Sequence, residues 1–472
     1  MKLNIKYIAP LLGLAMIATS CSKSYLDLKP YNSVLLTDAI KSEADLQVAL
    51  AGTYSSLRST NLYGRTLPVR GDLQADNTFI TTGNSGRYIS MNNYVFTSAD
   101  GDANGIWTSG YVAIKNANTV INSGLGGTAN INQYIGEAYA IRALMHFELV
   151  RNFSQPYTVD PNAAGIPIVT TFDQNLKPSR PTVKDVYTQI IADLEKAYTS
   201  MTLYRGTGYM SKYAARALEA RVYAAMGDWT NAKAMATDVI TNSGFALVPA
   251  TSYVNYWGNP AAQTTTKNET FFEVVSEALN NNGFDQIGFI YLTTGGGYGD
   301  VLATPELAGL YSATDVRKNL CAVGARTGQA GTVYLCQKYI NAAGSGDHDD
   351  TKVMRLAEVY MILAEANYNL GDIVNANLNL NIVAKARDLS FAGYASTGAQ
   401  VLEDILTERR KELAFEGQRF FDLLRLKRSW TKVKNQNPLT TVAVAPGNAG
   451  SLLPIPQAEL DANKSMTQNP GY

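Results

Sequence analysis

Apolar positions along the chain keep a helical rhythm over most of its length. Between residues 182 and 201, Val183, Val186, Tyr187, Ile190, Ile191, Leu194, Ala197, Tyr198 and Met201 alternate steps of three and four, which puts them on one face of an α-helix. Pro181, Thr182 and Asp185 open it as a variant of the capping box, in which side chains satisfy the free amides of a helix start. The same rhythm predicts consecutive helices over 106–124 and 134–153. The second is apolar on nearly every side and is expected to be buried. A further helical pattern opens near Thr37.

Two stretches, 209–244 and 353–387, share one layout. Ala220, Gly227, Asp228, Asn231 and Ala232 fall on Ala364, Gly371, Asp372, Asn375 and Ala376. A helix, a Gly-Asp turn and a second helix rich in small residues over about 34 residues is a tetratricopeptide-type unit. A regular solenoid would place such units end to end. Here they are far apart, so the pattern predicts a helical scaffold with long insertions, from about Tyr63 to Ala103 and from about Val248 to Thr351. Both insertions are rich in Gly, Asn, Thr and Tyr, and short runs such as TFFEVV and TVYLCQKYI read as small strands. Structureless loops of this length are uncommon unless they serve a function.

The N-terminus changes the picture. Lys2 and Lys6, an apolar run from Ile8 to Ile17, and the small residues Ala18, Thr19 and Ser20 form a secretory signal over 1–20. Cys21 follows directly, where a bacterial lipoprotein carries its lipid, and residues 21–36 form a lipidated tether. The signal's apolar run is shorter than the roughly 20 residues of a spanning helix, and no other long apolar stretch follows. The body is therefore expected to be held at a membrane only through its lipid. Lys and Arg total 40 against 40 Asp and Glu, so no basic field selects nucleic acid.

The stretch ERRKELAFEGQRFFDLLRLKR at 408–428 and the terminal LLPIPQAELDANKSMTQNPGY resemble the signature of the SusD/RagB family of outer-membrane nutrient-uptake lipoproteins. Further matches run through the chain: CSKSYLDLKPYNSV with DLQVALAGTY, IRALMHFELVRNF with GIPIV, RPTVKDVYTQIIADLEKA, NETFFEV and RLAEVYMILAEA. The resemblance implies a mainly α, SusD-like fold of tetratricopeptide-type helix pairs with loop-rich insertions and a few short β-strands. It implies an N-terminal part over 37–250 and a C-terminal part over 251–472. It also implies a lipid-anchored, surface-facing outer-membrane protein that captures oligosaccharide and passes it, as a lid, to a SusC-like TonB-dependent transporter. The alternatives are a peptide-capturing member of the same family and a surface glycoside hydrolase.

Candidate chemistry is sparse. Glu408, Glu412 and Glu416 recur at four-residue steps, but Arg409 with Glu412, Glu416 with Arg419, and Asp422 with Arg425 are spaced for helix ion pairs. A glycosidase needs two carboxylates facing across a cleft, and no such pair is identifiable, so no catalytic residue is expected. His146, in the apolar helix, reads as a satisfied core residue. His348 stands in GDHDD, whose Asp347, Asp349 and Asp350 are weak calcium candidates and better read as a cap before a helix. Cys321 and Cys336 are a possible disulfide, and their spacing is not a zinc pattern. TTGGGYGD lacks the context of a phosphate loop and reads as a turn presenting Tyr298. No cofactor is expected.

Binding has more material. Tyr outnumbers Phe by 28 to 14, and a Tyr ring offers a stacking face and a hydroxyl to a sugar. Trp107 starts the helix after the first insertion, in a neighbourhood that the resemblance implies for the ligand platform. Trp257, Tyr291 and Tyr298 belong to the second insertion. Asp72, Asn77 and Arg87 are polar candidates from the first.

Overall fold

The computed structural model describes residues 40–171, 173, 175–258, 268–340, 349–436 and 439–472. The signal at 1–20, Cys21 with its tether at 21–36, Asp347 and His348 lie outside the described residues. Helices dominate the first half: α1 (Glu43–Leu57), α2 (Thr66–Leu73), then β1 (Thr78–Ile80), α3 (Ile89–Asn93), α4 (Gly101–Ile121), α5 (Ala129–Phe153), α6 (Val183–Ser200), α7 (Lys212–Met226) and α8 (Trp229–Asn242). Short elements follow: α9 (Ala250–Gly258), β2 (Thr270–Val274), α10 (Ile287–Tyr291), β3 (Val301–Ala303), α11 (Pro305–Gly309), β4 (Cys321–Gly324), β5 (Val333–Cys336) and β6 (Thr351–Arg355). The chain ends with α12 (Leu356–Asn369), α13 (Ile373–Arg387), α14 (Gln400–Glu412), α15 (Arg419–Arg425), β7 (Trp430–Gln436), β8 (Leu439–Val444) and α16 (Gln457–Ala462). Among the described residues no helix is long and apolar enough to cross a membrane.

Helix α6 forms as its pattern predicts. Thr182 accepts from the Asp185 amide at 3.1 Å and the Asp185 carboxylate accepts from the Thr182 amide at 3.1 Å, a reciprocal cap of a kind that contributes about 1 kcal/mol. Among the described residues the first helix opens at Glu43, with Ser42 as its cap; Thr37, where the pattern opens, lies outside the described residues.

Both repeat units adopt the same turn. Gly227 and Gly371 end α7 and α12 at φ of 75° and 81°, a left-handed conformation that glycine adopts without a Cβ clash. Asp228 and Asp372 then cap α8 and α13, each accepting from the amide three residues on at 3.1 Å. Ala220, Ala232, Ala364 and Ala376 are fully buried where the helices meet. Helix α8 packs on α12, so units more than a hundred residues apart in sequence stack as neighbours.

The insertions are not structureless. Strand β1, from the first, pairs antiparallel with β3, from the second, and the four-stranded sheet runs β1-β3-β5-β4. Thr78, Phe79 and Ile80 face Ala303, Leu302 and Val301. Strand β2 pairs with β6 and β7 with β8. Two distant segments therefore become one sheet-backed body.

The charged stretch 408–428 breaks into α14 and α15 instead of running as one helix. Phe415 and Gly417 take positive φ of 68° and 75° between them. The turn lets Gly417 approach α2 so closely that a Cβ there would lie 2.7 Å from the Pro68 Cα. Because of that turn, the charges pair across the molecule. Arg355 lies 2.5 Å from Glu269 and 2.9 Å from Glu412, and Arg387 lies 2.7 Å and 3.1 Å from the same two acids. Arg317 reaches Glu408 at 2.6 Å and Glu412 at 3.0 Å, and Lys338 reaches Glu416 at 2.7 Å. Arg409 pairs with Asp422 and Glu358, and Arg419 with Asp76. Of the three local pairs expected, only Asp422 with Arg425 forms, at 3.0 Å. The carboxylates read from sequence as a structural network are one, but a tertiary one.

Candidate functional site

The sheet brings both insertions to one surface, and side chains rivet them there. Arg326 donates from Nε to the Gly299 carbonyl at 3.0 Å and from Nη2 to the Gly83 carbonyl at 2.7 Å. The Ser85 amide donates to Asp300 at 2.9 Å, and its hydroxyl donates to the same carboxylate. Gly299 has a φ of 54°, and a Cβ on it would lie 2.8 Å from the Arg326 side chain. The rivet and the turn thus both require glycine.

On this base the Arg87 guanidinium lies 4.2 Å over the Tyr298 ring. It also reaches the Asp285 carboxylate at 3.3 Å, which Arg65 holds from another side at 2.5 Å. Partial burial raises the Asp285 carboxyl, but the bond from Arg65 and the charges of both arginines outweigh it and hold the group below the ordinary carboxylate range. The adjacent Phe284 is 65% exposed, its ring 5.0 Å from that of buried Phe289.

Beside this cluster runs a groove of about 470 Å³. One wall is the end of α1, with Ser55, Ser56, Arg58 and Ser59; another is α4, with Thr108, Ser109 and Val112; the third is the turn Leu279 to Asn282. Asn282 fixes that turn by donating to the Arg58 carbonyl at 2.6 Å. Ser59 bonds Ser109 at 3.1 Å. Leu279 is 94% exposed at the rim. The groove therefore presents hydroxyls, carboxamides and one guanidinium beside bare apolar faces, which is the mixture a polyol with C–H faces requires.

Of the seven residues expected to contact ligand, Arg87 and Tyr298 meet at this surface. The other five are corrected by their burial. Trp107 packs against Tyr111 and Phe153 at 5.0 Å each and donates to Glu459 at 3.3 Å. Trp257 lies inside a cluster with Tyr253 and Tyr256, beneath the Lys338 ammonium at 4.3 Å. Tyr291 stacks on Tyr339 at 6.0 Å in the core. Asp72 accepts from Asn77 and from the Gly417 amide, each at 2.7 Å, and Asn77 accepts from Arg410 at 2.9 Å. These polar groups bind the frame together.

Other readings are also revised. Asp349 and Asp350 are buried before strand β6, not before a helix, and Asp350 accepts from the Ser276 amide at 2.8 Å. Among the described residues no cluster of three metal-capable side chains occurs. Cys321 and Cys336 stand directly opposite each other on β4 and β5 but are free thiols, and burial pushes Cys321 up to about 12. His146 is buried; its Nε2 accepts from the Val169 amide at 3.5 Å, while Nδ1 has no partner among the described residues. Burial lowers its pKa to about 3, so the ring is neutral.

Arg65, Leu279, Phe284, Asp285 and the serines of α1 carried no motif. The one signal was the Asn280-Asn281-Asn282-Gly283 run, whose turn chemistry marks an exposed loop tip.

Residues 313–472 match the SusD family, and residues 24–224 match a family described as starch-binding associating with outer membrane. The chain is 29% identical to SusD-like protein P2 of Formosa agariphila, over 99% of this chain and all of that protein. A SusD superfamily protein of Bacteroides thetaiotaomicron superposes with a TM-score of 0.81 at 30% identity, over 91% of this chain and 100% of the other. A Bacteroides vulgatus protein described as a candidate sugar binder superposes with a TM-score of 0.82 at 29% identity, over 92% and 99% of the two chains.

Proposed function

The chain belongs to the SusD/RagB family, and on that premise we propose that it is a cell-surface lipoprotein that captures an oligosaccharide in the loop groove. A SusC-like TonB-dependent transporter then receives the sugar, with this protein as its lid, anchored in the outer membrane through Cys21. The observation that carries the reading is the groove between α1, α4 and the Leu279–Asn282 turn, where hydroxyls and carboxamides line a concavity edged by exposed Leu279, with exposed Phe284 two residues beyond that turn. Sugar rings stack their C–H faces on such apolar edges while their hydroxyls bond the polar lining. The family description of starch binding and outer-membrane association supports the same reading. The signature acids Glu408, Glu412 and Glu416 are all committed to arginine or lysine partners in the core, which supports capture without hydrolysis.

Affinity electrophoresis of the purified protein against a panel of polysaccharides tests this. Retardation by at least one glycan, lost in a Phe284→Ala and Leu279→Ser double variant, is the expected result. Failure of every glycan to retard the protein, with binding of peptides instead, would overturn the sugar assignment.

A further inference from the structure

The lining of the loop groove is lopsided in a way that narrows what it can hold. Neither a carboxylate nor an aromatic ring belongs to it; its polar side chains are serines, Thr108, three asparagines and Arg58. Arg58 is the C-cap of α1, and its side chain makes a single hydrogen bond among the described residues, from Nη2 to the Ser55 hydroxyl at 2.9 Å. No carboxylate of the described residues forms an ion pair with it, whereas Arg65 and Arg87 are both held by Asp285. A guanidinium keeps its charge and can only donate, so most of the N–H groups of Arg58 are uncommitted. A cation at the end of α1 also suits that helix's dipole, a role that uses the charge and leaves the donors free.

The neighbouring hydroxyls are set the same way. Ser55 accepts from Arg58, and Ser109 accepts from the Ser59 hydroxyl at 3.1 Å and from Asn61 Nδ2 at 3.2 Å. Neither Ser55 nor Ser109 donates its hydroxyl hydrogen to another described residue, so each has that hydrogen left to give. These donors stand close together. Arg58 bonds Ser55, Ser59 lies one turn of chain beyond Ser55, and Ser59 bonds Ser109 across the gap between α1 and α4. All four line the groove, with Ser55 exposed and the others half-buried. On the third wall the Asn281 carboxamide is spent on its own turn, donating to the Glu277 and Ala278 carbonyls and accepting from the Gly283 amide.

A neutral hydroxyl set against such donors must turn its own hydrogen elsewhere, while an oxyanion accepts from all of them. Charge-assisted bonds are roughly twice as strong as neutral ones, and the fork of an arginine meets two oxygens of one oxyanion at once. Resting on the reading of this groove as the capture site, we propose that its ligand is an acidic oligosaccharide. Its oxyanion group sits on Arg58 and the Ser55 hydroxyl, and its other oxygens meet Ser109 and the carboxamides of Asn280 and Asn282. A uronic acid and a sulfate ester present the same chemistry, so the test separates them.

Affinity electrophoresis of the purified full chain would compare polygalacturonate with its methyl ester, and a sulfated galactan with the same galactan after desulfation. An acidic polymer retards the protein about tenfold more strongly than its neutral counterpart at low salt, and the advantage shrinks as salt rises, because a half-buried guanidinium is partly screened. Preference for polygalacturonate assigns a uronate, and preference for the sulfated galactan a sulfate ester. Arg58→Gln brings the acidic polymer to within about twofold of its neutral counterpart. Its thermal unfolding midpoint stays at the parent's, since the side chain bonds only exposed Ser55. Neutral polymers that retard as strongly as acidic ones, or an acidic preference that survives Arg58→Gln, overturn the inference and leave the capture reading standing. No retardation by any of the four also overturns it, and the capture reading falls with it only if the wider glycan panel fails too.

Discussion

Two regions of this molecule are rich in charge and aromatic rings and use them for opposite ends. In the signature core, Glu269, Arg355, Arg387 and Glu412 are essentially without solvent contact, and each acid meets at least two guanidiniums. On the loop surface, Asp285, itself half in water, holds Arg65 and Arg87, and the neighbouring Phe284 ring stays mostly uncovered. Ions taken from water into a core are tolerated only when every partner is present, so the core is closed to further ligands. The surface cluster keeps unused donors and bare faces. Partner closure, more than residue type, separates a residue that holds the fold from one that can bind.

The contrast breaks most sharply at Glu412. Burial raises its carboxyl, but Arg387, Arg355 and Arg317 together hold it well below the usual range. Glu412→Ala removes an acid shared by three buried guanidiniums, and removing one partner of such a network costs about 3–5 kcal/mol. Urea unfolding should show that loss. If the variant unfolds within about 1 kcal/mol of the parent, the core is not the closed network described.

Asp72 gives an effect of similar size and opposite pH sense. Burial pushes its carboxyl up to about 6, against the bonds from Asn77 and the Gly417 amide that lower it. A folded pKa above the unfolded value of about 3.9 means its stabilising contribution is full below that value and is lost as pH rises through 6. Glu358, Glu412 and Asp422 have depressed values, so their contributions are present above about pH 4 and fall away as the solution is acidified through their folded pKa. Relative to the parent, Asp72→Asn should therefore gain about 3 kcal/mol between pH 3.5 and 7, whatever constant cost the lost bond adds. A difference that stays flat with pH would show that Asp72 is not held in its raised state.

Between the two regions stands the Arg326 rivet. Gly299→Ala forces a Cβ onto that side chain at a left-handed φ, which costs about 1–2 kcal/mol for the backbone alone. The expected outcome is a modest fall in unfolding free energy with a larger loss of glycan retardation, since the surface is what the rivet aligns. Equal binding in parent and variant would separate the turn from the site.

Much of the core side of this contrast was legible in the sequence. The three-and-four spacing of α6, its Thr182 cap and the paired Gly-Asp turns are local properties, and local physics decided them. Of the local ion pairs expected, Asp422 with Arg425 forms and the other two do not, because their register depends on the turn at Phe415 and Gly417, which brings Arg355 and Arg387 from other elements to Glu412. The site was harder still. Trp107 and Trp257 looked like platform residues because ring chemistry is the same in a core and on a surface, and only packing tells them apart. Arg65 and Asp285 meet across 220 residues of chain, through a sheet whose strands are three or four residues long and carry little pattern of their own.

The smallest effect is the one that sharpens the contrast most. Phe284 leans one edge on Phe289 and leaves most of its ring in solvent, so its truncation removes little buried area. Phe284→Ala should change the unfolding free energy by no more than about 0.5 kcal/mol, as surface substitutions do. If the ring is a stacking face for a sugar, the same change should weaken glycan binding by about 1 kcal/mol, roughly fivefold, in affinity electrophoresis. Truncation of core Tyr291 should do the reverse: its ring stacks on Tyr339 and meets Phe415 edge-on, so Tyr291→Ala costs about 3 kcal/mol or more of stability. Affinity in the fraction that remains folded should hardly move. Binding that follows Tyr291 instead of Phe284 would relocate the ligand to the core side and dissolve the distinction between the two regions.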